Sequence, residues 1–330
     1  KVVASSQSPG TFHRHVAEVL GIPQHCVELE IRRLGGAFGG KESTAVWVVA
    51  PALAAFLLKR PVKLVLGRAE DLATTGKRHG YRYRYRIGVD AEGRILVYEA
   101  TFHQHAGACA DISLAVLGRS LLHASGSYRI PNLRVTALSC RTNIPPNNAF
   151  RGFGVTQSCF ATECNINLLA EKAGLSPWEF RFKNAIRPGD ELPNGQIADD
   201  TTALEEALLA VKDDYDKNPK AGISCAMKNA GLGVGVPDFG RCRLSVRGGR
   251  AHIATSASCI GQGLGTVVTQ MVCDVTGLSP ELVVHDPADT FLTPDSGNTT
   301  ASRQTVITGE AARKAAGQLK KDMETASFHE

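Results

Sequence analysis

Four segments of this chain have the composition to bring backbone close to a bound group. The first is residues 34–42, Leu-Gly-Gly-Ala-Phe-Gly-Gly-Lys-Glu, with four glycines around Ala37 and Phe38. Without Cβ atoms in the way, its N–H groups can touch an anion or an oxo group. The helix expected after it adds a positive dipole end. It is not a P-loop, because that pattern needs Ser or Thr where Glu42 stands.

The second segment is residues 147–157, in which Arg151 sits between Phe150 and Phe153, with Gly152 and Gly154 beside them and Gln157 at the end. The third is residues 259–265, where Gly261, Gly263 and Gly265 flank Gln262 between an expected strand and helix. That loop suits a phosphate or a pterin; its Gly-x-Gly-x-Gly spacing is not the dinucleotide fingerprint. The fourth, residues 294–305, is dense in hydroxyls and amides and includes Thr300, Ala301 and Ser302.

Other chemical templates find no purchase. His103, His105 and His123 could form a metal trio, but no Cys or carboxylate spacing supports it, so they read as structural. Gly-x-Ser-x-Gly is absent, which removes the nucleophile elbow. The nine cysteines are odd in number and include no Cys-x-x-Cys pair, so zinc ribbons and a disulfide framework both fail. Free thiols in a reducing cytoplasm follow.

The elements that must position these loops read as a mixture. Strands are expected at Val2 to Ser5, Val27 to Ile31, Pro61 to Leu66, Tyr81 to Ile87 pairing with Arg94 to Ala100, Arg243 to Val246, Ala251 to Ser256 and Leu282 to His285. Helices are expected at His13 to Leu20, Ser43 to Leu58 (apolar enough to be buried), Ser158 to Ala173, Pro177 to Ala185, Asp199 to Val211 with a Thr202–Glu205 capping box, Gly265 to Thr276 and Gly309 to Ala326. Lys212 to Lys220 reads as a solvated connection. There is no clean βαβ rhythm, so the fold class is α+β.

The 330 residues suggest about two domains, with the best linker at residues 187–200. Lys+Arg 37 against Asp+Glu 32 leaves +5, too small an excess to argue for nucleic acid. No apolar run reaches the ~18 residues that span a bilayer, and no signal peptide opens the chain. Position 1 is Lys rather than Met, and the reading is of a piece of a longer polypeptide or one subunit of a split one.

The order and spacing of the four loops resemble the molybdenum-cofactor-binding part of the xanthine dehydrogenase family. The resemblance runs from residues 35–42 through Arg119, residues 149–154 and Gln157 to Gly261-Gln262-Gly263 and Thr300-Ala301-Ser302. It also includes residues 128–132 and 181–184. It implies two molybdopterin-binding domains, most of the first at 1–195 and the beginning of the second at 196–330. It also implies hydroxylation of an sp² carbon of an N-heterocycle or aldehyde, with water as the oxygen source. Electrons would pass to 2Fe-2S and FAD centres on partner domains or subunits, alongside the remainder of the molybdenum subunit.

By the same resemblance, Gln7, Phe38 and Arg151 would surround the molybdenum without ligating it directly. Gly36, Ala37, Gly39, Gly261, Gln262, Gly263, Ala301 and Ser302 would complete the cofactor site, holding molybdopterin itself or its cytosine dinucleotide. Glu42 and Arg119 match the substrate-binding pair of the purine-hydroxylating branch, and Phe153 matches an aromatic that packs on the substrate ring. Two departures stand out. Cys225 falls where a second aromatic is expected, and the family's catalytic Glu lies beyond this chain, which should be inactive alone. The alternatives are a nicotinate- or aldehyde-type member, a cofactor-free scaffold subunit, and a nucleotide-binding module.

Overall fold

A computed structural model describes residues 1–43, 45–233 and 235–325. In chain order the elements are β1 (Val2–Val3), α1 (Pro9–Leu20), β2 (Leu29–Ile31), α2 (Val46–Leu58), α3 (Arg68–Thr74), β3 (Tyr81–Val89) and β4 (Ile95–Gly107). Then come α4 (Ser113–Leu122), β5 (Asn132–Arg141), α5 (Val155–Lys172), α6 (Pro177–Asn184), α7 (Leu204–Ala210) and α8 (Lys212–Lys217). The chain closes with β6 (Arg243–Arg247), β7 (Arg250–Ala254), α9 (Leu264–Thr276), β8 (Val283–His285), β9 (Ala288–Asp289) and α10 (Gln304–Thr325). Helices and sheets are mixed, as the α+β expectation had it. The elements group into two compact units, Lys1–Thr75 with Asn229–Glu330, and Gly76–Lys228.

Unit 1, the discontinuous one, contains two small sheets. In one, β2 lies parallel to β1 and antiparallel to β9. Its core is built by Phe12 and Val16 of α1 against Leu29 and Ile31 of β2. In the other, β7 is antiparallel to β6 and parallel to β8. There Ile253 packs with Leu264, Val268 and Val272 of α9 and with Ala312 and Ala316 of α10.

Unit 2 is organised by the sheet β3-β4-β5. A parallel β4–β5 pair needs a crossover, and α4 supplies it. The Tyr-Arg run forms β3 with its tyrosines half-buried and its arginines exposed. Tyr83 meets Phe102 edge to face at 4.8 Å. A buried ion pair crosses this core: Arg181 donates to the Glu163 carboxylate at 2.8 Å, and Tyr128 Oη donates to the same group at 2.5 Å.

Five sequence expectations change. The helix ending at Leu58 is not buried: Leu57 and Leu58 are 68% and 64% exposed. It is apolar on every face, but its core contacts run through Val48, Val49 and Ala52. Residues 61–66 form no strand, because the described residues offer them no ladder partner. The Thr202–Glu205 capping box is absent. Asp199 Oδ1 instead takes the Thr201 N–H at 3.0 Å, and α7 starts later behind Ala203. The charged stretch after it is helical, with Lys212 and Asp216 paired across one turn of α8. The last helix, expected from Gly309, begins at Gln304 as α10.

Candidate functional site

Unit 1 gathers most of the residues singled out above: Gln7, Gly36, Ala37, Phe38, Gly39, Glu42, Gly261, Gln262, Gly263, Ala301 and Ser302. Arg119, Arg151 and Phe153 belong to unit 2. Each set has its own local geometry.

In unit 1, Gln7 is 1% exposed and ties three loops together. Its Oε1 accepts the Gly39 N–H at 3.0 Å, and its Nε2 donates to Thr299 O at 2.6 Å. Its backbone N–H donates to Lys41 O at 3.1 Å, and its carbonyl accepts the Thr299 N–H at 2.8 Å. The loop after β2, the chain entering α1 and the loop before α10 are therefore fixed as one piece.

The backbone of these loops is unusual. Phe38, Ala301 and Ser302 have φ of 50°, 49° and 55°, a left-handed region that costs residues with a Cβ. Gly36 and Gly39 stand at φ 89° and 113°. The third loop comes close to the first, since a Cβ added at Gly261 would lie 3.6 Å from Phe38 Cζ.

Two further residues shape the first loop. Lys41 Nζ donates to Leu34 O and, at 2.8 Å, to Ser5 Oγ, so an ammonium closes the glycine loop at its base. Burial holds its pKa below the ordinary value. Glu42 is 9% exposed, and its Oε2 accepts the Thr300 hydroxyl at 3.0 Å. At the third loop, Gln262 is exposed, and its Oε1 accepts the Ile260 N–H at 2.7 Å. Cys259 beside it is an exposed thiol. Burial would raise its pKa, but the N–H groups of Gly261, Leu264, Gly263 and Gly265 at the start of α9 outweigh that and lower it.

In unit 2, Gly154 docks the second loop onto α4. Ser120 Oγ donates to Gly154 O at 2.9 Å, and a Cβ at Gly154 would fall 2.3 Å from Val116 O. Arg119 is the residue before Ser120 on that helix. Phe153 has φ 48°, and its N–H donates to Phe150 O at 2.7 Å. Arg78 braces the whole turn: Nη2 donates to Arg151 O at 2.7 Å, Nη1 to Thr156 Oγ1 at 2.6 Å, and its guanidinium lies 4.4 Å from the Phe150 ring centroid.

Sequence reasoning did not single out Arg78, because an isolated arginine before a strand carries no periodic signal. Lys41 and Thr300 carry no sequence signal apart from the segments that contain them. Cys225 is a core residue of unit 2, 6% exposed, whose N–H donates to Glu163 Oε2 at 2.9 Å. The histidines 103, 105 and 123 do not form a metal-ligand cluster. Among the described residues that spacing occurs only at Glu28, Glu30 and Asp289, where Lys1 pairs with both glutamates at 2.7 and 2.8 Å.

Comparisons with known proteins agree with one another. Family models described as molybdopterin cofactor-binding domain match residues 1–185 and 202–329. A nicotinate hydroxylase of Emericella nidulans is 31% identical over 96% of this chain and 25% of its own length. A xanthine dehydrogenase of Oryza sativa is 32% identical over 98% of this chain and 25% of its own length. The chain thus spans about a quarter of these relatives. Among solved structures, the aldehyde oxidoreductase of Desulfovibrio gigas superposes with a TM-score of 0.87 at 28% identity, covering 97% of this chain and 37% of that one.

Proposed function

The chain belongs to the molybdopterin cofactor-binding family of the molybdenum hydroxylases, and on that premise we propose that it forms part of the large subunit of an enzyme hydroxylating a purine-like N-heterocycle. One observation carries the cofactor reading: three loops tied by Gln7 hold Phe38, Ala301 and Ser302 in left-handed backbone. Strain of that kind collects where main chain must face a ligand.

The residues fit molybdopterin. By the family resemblance Gln7, Phe38 and Arg151 are the residues that would surround the metal, with no protein atom ligating it. Gly261, Gln262, Gly263, Ala301 and Ser302 would hold the pterin, to which the exposed Gln262 amide and Ser302 hydroxyl are suited hydrogen-bond donors. When bound, the group supplies the two-electron redox chemistry that puts a water-derived oxygen on an sp² carbon.

On this reading Glu42 and Arg119 orient the heterocycle, and Phe153 packs against its ring. The backbone around Phe38 and the Gln7 side chain would stabilise charge that develops during attack. The carboxylate that deprotonates the nucleophile, and the 2Fe-2S and FAD centres that take the electrons, would lie outside this chain. Nine free thiols support a reducing compartment. Among the described residues no helix is long and apolar enough to cross a membrane.

The test of the substrate assignment compares two substrates on the enzyme that contains this chain. Glu42→Ala should lower kcat/KM for xanthine far more than for an aromatic aldehyde, which offers no ring N–H. Equal losses on both would remove Glu42 from substrate recognition.

A further inference from the structure

One rung of the unit 2 sheet carries three polar side chains on the face that packs on the core. Tyr81 of β3 is the cross-strand partner of Gln104 of β4, and Gln104 is the partner of Ser139 of β5. Partners in register stand close enough for their side chains to bond, and these do. Gln104 Nε2 lies 2.8 Å from Tyr81 Oη, and Gln104 Oε1 lies 2.8 Å from Ser139 Oγ. The row leaves the sheet at Tyr81 Oη, which is 2.9 Å from Ser120 Oγ on α4. Ser120 Oγ is in turn 2.9 Å from Gly154 O, where the second loop ends and α5 begins. Gln104 and Ser120 are fully buried.

The acceptor at one end assigns every proton in the row. A carbonyl only accepts, so the Ser120 hydroxyl donates to Gly154 O. Its oxygen then accepts the one proton of Tyr81. Tyr81 Oη, having given that proton, accepts from the Gln104 amide. Gln104 therefore presents Nε2 to Tyr81 and Oε1 to Ser139, which donates. The hydrogen bonds run one way from β5 to the turn, and in a buried row each strengthens the next. Burial holds the Tyr81 pKa above its ordinary value, which keeps the hydroxyl protonated. The Tyr81 ring stacks on Tyr83 at 5.4 Å, so its packing is separable from its hydrogen bonds.

The two ends of the last bond adjoin residues with assigned roles. Ser120 follows Arg119 on α4, and Gly154 follows Phe153 in the turn. The turn approaches α4 so closely that a Cβ at Gly154 would lie 2.7 Å from Ser120 Oγ, so the turn feels any change of rotamer at Ser120. Left without a partner, a helical serine turns its hydroxyl to the carbonyl four residues back. We infer that Tyr81 is a positioning residue, whose hydroxyl fixes the Ser120 rotamer and so sets where the Phe153 turn stands relative to Arg119. The sheet is the rigid reference, and the row carries its register to the turn. The inference rests on the reading of Arg119 and Phe153 as substrate residues. Shifts of ~1 Å in such groups are enough to slow a reaction without unfolding the protein.

The experiment uses the holoenzyme containing this chain, checked for molybdenum content, with xanthine as substrate. Segment-resolved backbone hydrogen exchange of the resting enzyme is read beside kcat and KM. Tyr81→Phe keeps the ring and removes the proton. It should lower kcat about tenfold, the size of one lost hydrogen bond, with KM changed less than about threefold. Exchange should quicken at residues 151–158, where the Ser158 N–H donates to Gly154 O, and keep its wild-type rate in β3 and β4. A merely structural hydroxyl would loosen the sheet as well. Ser120→Ala should cost about as much, and the double variant no more, because both break one row; additive losses would overturn the inference. Ser139→Ala, at the far end of the row, should lower kcat about threefold. Wild-type kcat and exchange in Tyr81→Phe and Ser139→Ala, with Phe153→Ala impaired, would overturn the inference and leave the substrate reading intact. Wild-type kcat in Phe153→Ala as well would overturn both.

Discussion

Phe38, Ala301 and Ser302 each hold a Cβ in the left-handed region, at a cost of roughly 1 kcal/mol or more apiece. The hydrogen bonds of Gln7 and the packing around them hold that strain in place. Gly39, at φ 113° with its N–H on Gln7, is the residue least able to change. Gly39→Val should give a folded protein that has lost at least about nine-tenths of its molybdenum, measured by metal analysis after gel filtration, because Val is strained at this φ. Full metal content in the variant would count against the cradle. Cys259 offers a separate check, with its sign set by the lowered pKa: more thiolate is present at pH 7 than an ordinary thiol would show. Site-resolved iodoacetamide labelling at pH 7 should find Cys259 modified faster than the cysteine of a short unstructured peptide, with the gap closing as pH rises toward 9. Cys225, pushed up to about 11 by burial, should stay unlabelled in the fold.

The elements carry the loops more securely than the loops carry themselves. The turn at residues 150–154 is held from below by Gly154 on α4 and from the side by Arg78. A lysine cannot reproduce Arg78, since it lacks the planar fork and the stacking face. Arg78→Met and Arg78→Lys should both lower kcat about tenfold or more while KM changes less than threefold and the melting temperature moves by only a few degrees. An unchanged kcat would show that the turn holds its shape without this brace. Much of this level was legible in the sequence. The C-terminal stop of α1 at Gly21, the Tyr/Arg alternation of β3 and the helix after residues 259–263 all follow from local pattern. The same pattern failed at residues 61–66, where a short run rich in Val and Leu promised a strand but sheet membership depends on a partner that local sequence cannot supply. It failed again at Thr202, where the Asp199 carboxylate captured the Thr201 N–H first.

At the scale of the whole molecule, the loops of the site come from both ends of the chain: residues 7 and 299 share hydrogen bonds across nearly its full length. No spacing rule connects them. Only the family resemblance singled out Gln7, whereas the contacts of Arg78 had to be seen in three dimensions. Unit 2 depends in turn on the buried Glu163–Arg181 pair, which also receives Tyr128 and the Cys225 N–H. Removing one partner leaves a buried charge uncompensated. Arg181→Met should therefore destabilise unit 2 by about 3–5 kcal/mol, read from the shift of its denaturant transition. A loss below about 1 kcal/mol would mean that the pair is replaceable by packing.

The most direct test of a molybdopterin site in this chain is the molybdenum and pterin content of the native protein that contains it, purified from its source with its partner subunits. One molybdenum and one pterin per copy of the chain is the predicted result. Neither present, in a preparation whose partners and iron–sulfur centres are intact, would contradict it.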